Sequence, residues 1–268
     1  MRRLLIRPGA IGDFIVSLPA LEYLQAGYTE VWCASANVPL ARFADQARSI
    51  ASTGLDRLGI LPADDVVERL RGFDSIVSWY GANRPEFREC VAGLKLPFEF
   101  HSALPAAGLH AVDFYAKQVG APLGAIPRFP VSLGAGEFVA VHPFASSLSK
   151  RWPLVQFQKV AEALGQVRWL RGPEEQLAGS VFIADLADLT AWLGKARLYI
   201  GNDSGITHLA AAVGIPVVAL FGPTDPEMWS PRGSSVKVIQ GPLERIEPTE
   251  VVEAAQRISA LCRTPRIS

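Results

Sequence analysis

Short runs of consecutive apolar residues alternate along the chain with longer stretches whose apolar positions recur every three or four residues. Strands covered on both faces read as unbroken apolar runs, and the crossover helices that cover them read as amphipathic stretches, so this alternation predicts parallel α/β structure. In the first half, strands are expected at Leu4-Leu5-Ile6, Val31-Trp32-Cys33-Ala34 and Ser75-Ile76-Val77-Ser78-Trp79, with helices at residues 13–25, 39–47, 63–71 and 110–119. Residues 120–136 bring Pro122, Pro127 and Pro130 together with Gly120, Gly124, Gly134 and Gly136, a composition that resists regular structure and predicts a linker. A second series then begins, with strands at Phe138-Val139-Ala140-Val141, Val167-Arg168-Trp169-Leu170, Leu198-Tyr199-Ile200 and Pro216-Val217-Val218-Ala219-Leu220. Its helices are expected at residues 154–164, 186–194, 205–213 and 248–261. Two Rossmann-like domains, residues 1–128 and 137–268, are the simplest architecture, with packing of the last helix back on the first domain left open.

Composition narrows the function classes. The 268 residues suffice for two small α/β domains, and 26 Lys+Arg balance 26 Asp+Glu, so bulk capture of a nucleic acid is not expected. Cys33, Cys90 and Cys262 are far apart and form no C-x-x-C pair, which reads as ordinary thiols in a reducing compartment rather than a metal site. The apolar run after Met1-Arg2-Arg3 stops at Arg7, too short for a signal-peptide core, and the expected location is cytoplasmic. Residues 209–222 are weakly polar but shorter than a bilayer span and broken by Gly214 and Pro216, so no membrane crossing is expected.

Four segments carry candidate chemistry, each at the end of an expected strand. In Gly201-Asn202-Asp203-Ser204-Gly205, the glycines allow unusual dihedrals and close approach, and Asp203 or Ser204 caps the helix that follows. Free N–H groups at such a helix start suit a pyrophosphate, and the carboxyl ends of parallel strands are where open α/β sheets bind ligands; plain helix capping reads the same residues equally well. Asp203 would repel phosphate and suits sugar hydroxyls better, while His208 follows Ser204 on the same helix face. Arg7-Pro8-Gly9-Ala10-Ile11-Gly12-Asp13 lacks the G-x-G-x-x-G spacing and no acidic residue closes the second strand, which argues against a nicotinamide cofactor. It leaves Asp13 as a helix cap or a candidate general base. The stretch from Val141 to Pro153 supplies the hydroxyls of Ser146 and Ser147 and the cation of Lys150, suited to phosphate or to an ordinary charged loop. Leu170-Arg171-Gly172-Pro173-Glu174-Glu175 offers a carboxylate that could accept from ribose hydroxyls or could be solvated turn charge.

Together these segments resemble the ADP-heptose:lipopolysaccharide heptosyltransferases, glycosyltransferase family nine. The resemblance is most specific in Ile11-Gly12-Asp13 followed by Leu18-Pro19-Ala20-Leu21, in Lys150-Arg151-Trp152-Pro153, and between Ala196 and Pro231, with weaker echoes at Phe73-Asp74 and at His110 with Asp113. It implies an α/β fold of GT-B type, two Rossmann-like domains with parallel sheets facing a central cleft. It further implies inverting transfer of a heptose or related sugar from an ADP-sugar to a lipopolysaccharide core or similar glycan. Asp13 then matches the general base, Lys150 the cation beside the donor phosphates, and Glu175 the ribose carboxylate. Ser204, Gly205 and His208 match the diphosphate loop, and Asp203 the donor-sugar contact. ADP-heptose would be a substrate, with no separate cofactor and no metal. The N-terminal half is short for the family; Arg84 and Arg88 lie where an acceptor's phosphates could bind, or on a solvated helix face. Peripheral contact with the inner face of a membrane is open. An epimerase or hydrolase acting on the donor alone, and a non-catalytic nucleotide-binding relative, are the competing readings.

Overall fold

The structure is a computed structural model that describes residues 1–61 and 63–263, with side chains described through residue 260. The chain forms two compact units, Met1–Ala125 and Ile126–Ser268.

The first unit is built on a parallel sheet of β1 (Arg2–Arg7), β2 (Tyr28–Cys33), β3 (Gln46–Ser49), β4 (Ser75–Ser78) and β5 (Phe98–Phe100) in the order β3-β2-β1-β4-β5. Its helices are α1 (Ile11–Tyr23), α2 (Asp64–Arg71), α3 (Pro85–Gly93) and α4 (Ala111–Gln118). Leu4, Leu5 and Ile6 are all fully buried, because α1 and α4 pack against one another on one face and Trp32, Val66, Leu70, Phe87 and Val91 gather on the other. The strand order reverses beside β1, whose neighbours are β2 and β4, so the loop after β1 opens at a topological switch point.

The second unit repeats the theme with a different order. Strands β6 (Phe138–His142), β7 (Val167–Trp169), β8 (Ala196–Asn202), β9 (Val217–Phe221) and β10 (Val236–Gln240) are parallel in the order β10-β9-β8-β6-β7. The helices are α5 (Leu154–Leu164), α6 (Leu186–Leu193), α7 (Gly205–Val213), the single turn α8 (Pro226–Trp229) and α9 (Pro248–Arg263). Val139, Val141, Phe157, Val160, Ile200, Val218 and Val251 form the core on one face. The last helix packs on α5 and on β8, β9 and β10 of its own unit. Here the switch point lies between β6 and β8, whose ends are His142 and Asn202.

Several expectations change. Residues 39–47 do not form a helix: Ser35–Leu40 is a 3-10 helix containing Pro39, and Gln46–Ser49 pairs with β2 as an edge strand. β5 and β10, absent from the apolar pattern, are the outer strands of their sheets. Residues 120–136 hold no helix or strand, as their composition suggested, and are tied to the second unit where the buried Phe129 donates its N–H to Ala212 O and the Gly134 N–H donates to Gly194 O. Cys33 is a buried free thiol pushed up to about 12 by burial, and Cys90 is half-buried and free. The side chain of Cys262 lies outside the described residues.

Candidate active site

In the second unit, Asn202 at the end of β8 is fully buried and ties the loop after β6 at both ends. Its Nδ2 donates to Pro143 O at 2.9 Å, and its Oδ1 accepts from the Trp152 N–H at 3.0 Å. Trp152, also buried, donates its indole Nε1–H to Ile246 O at 3.1 Å, so the far end of the loop is anchored in the core. The loop therefore has a fixed course past the end of β8. Within it, Ser147 Oγ accepts from the Ser149 N–H and lies 2.7 Å from Ser149 Oγ, while Ser146 is exposed.

Lys150 ends this loop with its Nζ 2.7 Å from Asp203 Oδ2. Asp203 is nearly buried and Lys150 is about a third exposed, with side-chain exposures of 8% and 31%. The expectation that Asp203 or Ser204 caps α7 changes accordingly. The Asp203 carboxylate goes to Lys150, and Ser204, at the capping position, makes no side-chain bond to the helix backbone. Ser204 Oγ and Tyr199 OH instead each lie 3.1 Å from Thr207 Oγ1, which donates to Asn202 O. Among the described residues no side-chain hydrogen bond reaches the Gly205 or Ile206 N–H at the start of α7, the kind of helix terminus that suits an anion. His208 is buried in the first turns of α7.

Of the two properties expected of the glycines here, unusual dihedrals and close approach, Gly201 shows the second. Neither Gly201 nor Gly205 has a positive φ. A Cβ on Gly201 would come within 2.5 Å of Tyr199 OH, so Gly201 is required by the close approach of that ring.

Glu175 stands at the end of the segment after β7. Its Oε2 accepts from the Gly172 N–H at 2.5 Å and lies 3.2 Å from His142 Nε2. Burial pushes the carboxyl up, but these two hydrogen bonds together with the electrostatic attraction of His142 and Arg151 outweigh it and hold Glu175 below the usual carboxylate range. A depression of about 470 Å³ is lined by Arg171, Pro173, Glu174 and Glu175 among others. His142 belongs to this cluster and was not singled out from sequence. A lone His at a strand end carries no local signal of its partner 33 residues away.

In the first unit, Gly9 has φ +125°, and its carbonyl accepts from Asn37 Nδ2 at 3.1 Å. Asp13 Oδ2 accepts the Ala10 N–H at 3.0 Å, so the carboxylate ties the start of α1 through one oxygen. The loop is braced by Arg7, which is 2% exposed and donates to Ser17 Oγ, Pro8 O, Asp13 O and Tyr115 OH. Burial lowers the pKa of this guanidinium, opposed by Tyr115 and Asp13, and burial raises the Tyr115 hydroxyl to about 12. Arg7 is the second buried organiser missed from sequence; a cation placed directly before a Gly-rich loop was the available signal. Arg84 donates to Tyr80 OH at 2.5 Å, and Arg88 to Ala82 O at 3.2 Å with its guanidinium over the Phe100 ring. A hollow of about 380 Å³ lies beside Asn83 and Arg88. His110 and Asp113 serve the local backbone: His110 Nδ1 accepts from the Val112 N–H, and Asp113 Oδ1 from the Gly124 N–H.

Among the described residues, no three His, Cys, Asp or Glu side chains gather as a metal site, and no helix is long and apolar enough to cross a membrane.

Comparison with known proteins bears on this arrangement. The family model for glycosyltransferase family 9 (heptosyltransferase) matches residues 118–257. Lipooligosaccharide heptosyltransferase 2 of Haemophilus influenzae is 32% identical over a stretch that covers 37% of this chain and 35% of that protein. The aligned part thus spans about a third of that relative's length. Among solved structures, a family 9 glycosyl transferase from Veillonella parvula superposes with a TM-score of 0.77 at 17% identity, covering 97% of both chains. The ADP-heptose lps heptosyltransferase II of E. coli superposes with a TM-score of 0.75 at 20% identity, covering 97% of this chain and 99% of that one. These likenesses establish the fold, an α/β architecture with two parallel five-stranded sheets.

Proposed function

The chain belongs to glycosyltransferase family 9, and from that premise we propose that it is an inverting glycosyltransferase. It moves a heptose or related sugar from an ADP-sugar to a lipopolysaccharide core or similar glycan acceptor. The observation that carries the donor side is the meeting of Lys150, Asp203 and the uncapped start of α7 at the ends of β6 and β8. Transfer breaks the bond between the anomeric carbon and the β-phosphate oxygen, so negative charge grows on the departing diphosphate. Lys150 and the first N–H groups of α7 are placed to hold that charge, with the hydroxyls of Ser146, Ser147 and Ser204 and the imidazole of His208 completing the surround. Asp203, already paired with Lys150, orients the cation and takes hydroxyls of the donor sugar; Glu175 takes the ribose.

On the acceptor side, Asp13 removes the proton from the attacking hydroxyl as its oxygen bonds to the anomeric carbon. One carboxylate oxygen is committed to the Ala10 N–H, and Oδ1 is the one that receives the proton. Arg84 and Arg88 are the candidates for anionic groups on the acceptor. The donor is a substrate and no metal takes part. The enzyme works in the cytoplasm, with peripheral contact at the inner membrane surface where a glycolipid acceptor would be met.

Asp13→Ala should lower transfer by about 100-fold or more while leaving ADP binding unchanged. Transfer assays with ADP-heptose and a truncated lipopolysaccharide acceptor, beside calorimetric titration of ADP, measure both. Undiminished transfer in this variant would remove Asp13 from the mechanism. Rapid donor consumption without acceptor would favour the hydrolase or epimerase reading instead.

A further inference from the structure

His142 closes β6 with its side chain 94% enclosed, that is, 6% exposed. Its Nε2 faces Glu175 Oε2 at 3.2 Å, and its Nδ1 is buried with no hydrogen-bond partner among the described residues. A proton on Nδ1 would be a buried donor without an acceptor, so the ring proton belongs on Nε2, where it donates to the carboxylate. The same Oε2 takes the Gly172 N–H at 2.5 Å. A Cβ at residue 172 would come within 3.1 Å of Oε2, a tight contact, so the carboxylate sits close against the Gly172 backbone.

Both donors thus hold one oxygen of Glu175. The other, Oε1, receives no hydrogen bond from the described residues. A carboxylate pinned by one oxygen presents the second in a fixed direction, and its acceptor lone pairs can take the vicinal hydroxyls of a ribose. A carboxylate left to rotate would lose part of that selectivity, because ordering it would then be charged against binding.

We propose that His142 is a positioning residue for nucleotide recognition: by holding Glu175 through Oε2, it sets the orientation in which Oε1 accepts from the ribose of the donor. The proposal rests on the reading of Glu175 as the ribose carboxylate. It differs from a packing role because it predicts which ligand atoms feel the loss.

The test compares ADP with 2′,3′-dideoxy-ADP by calorimetric titration of the full chain, for wild type, Glu175→Ala, His142→Asn and His142→Gln. A glutamine amide can reach the place of Nε2, whereas the shorter asparagine amide reaches only that of Nδ1. Wild type should prefer ADP, and Glu175→Ala should lose that preference. His142→Asn should weaken ADP by about tenfold with dideoxy-ADP unchanged, and His142→Gln should stay within about threefold of wild type. Equal weakening of both ligands in His142→Asn, or an undiminished preference for ADP there while Glu175→Ala has lost it, would overturn the role of His142 alone. A preference for ADP that survives Glu175→Ala, or is absent from wild type, would overturn the ribose reading and the proposal with it.

Discussion

Asp203 gives its carboxylate to Lys150 rather than to the helix it precedes, and Glu175 is held through a single oxygen by His142 and Gly172. In both cases a charged group is oriented before any ligand arrives, which lowers the cost of ordering it on binding. For Glu175 the arrangement has a measurable sign. Its folded-state pKa is lowered from 4.5, so it contributes stability that is present above the unfolded value and lost as pH falls through the folded one. Wild type should therefore exceed Glu175→Gln in urea midpoint at neutral pH, and the gap should close as pH is lowered below about 4.5. A gap that stays constant from pH 7 to pH 3 would show that the carboxylate's charge is not what its two donors stabilise. Asp203 and Glu175 could be singled out as candidates from their neighbours in the chain; their partners could not, since Lys150 and His142 lie 53 and 33 residues away.

Elements bring these residues together through strand ends. Asn202, at the end of β8, joins Pro143 O to the Trp152 N–H and so fixes a loop that begins on β6. Asn202→Ala would leave the buried Trp152 N–H without its acceptor, a loss of about 2–3 kcal/mol in urea unfolding, and would weaken ADP by freeing the loop that carries Lys150. Leu at this position would test the same contact with more bulk, and a variant as stable as wild type would show that the loop holds its course without the tie. β6, α5, α7 and β9 fall close to the expected runs because strands buried on both faces and the helices over them impose strong apolar patterns, and of the edge strands β7 alone was also legible, from Val167-Arg168-Trp169-Leu170. The three strands that escaped, β3, β5 and β10, all lie at sheet edges. There one side lacks a neighbouring strand, Gln46-Ala47-Arg48-Ser49 needs no apolar run, and its pairing with β2 decides its conformation.

At the scale of the whole molecule, the residues assigned to the nucleotide all belong to the unit Ile126–Ser268, which has its own hydrophobic core. That unit expressed alone should fold and should gain thermal stability from ADP, because a ligand that binds only the folded form raises its midpoint. A fragment that melts cooperatively yet is indifferent to ADP, beside a full chain that responds, would show that the first unit supplies necessary contacts. The two sheets also differ in order, β3-β2-β1-β4-β5 against β10-β9-β8-β6-β7, a distinction that no alternation of runs and amphipathic stretches can express. By itself the sequence determined the α/β class, the interior strands and most of the helices, though not α3, and pointed to the loops after β1, β6 and β8 as candidates for chemistry, since these follow from local periodicity and residue type. Only the tertiary structure decided that Asp203 pairs with Lys150, that Gly201 makes room for Tyr199, and that His142 and Arg7 sit buried as organisers. Each of those depends on atoms brought within a few ångströms by strand order and loop course, and contacts between distant residues leave no trace in the pattern of either one's neighbours.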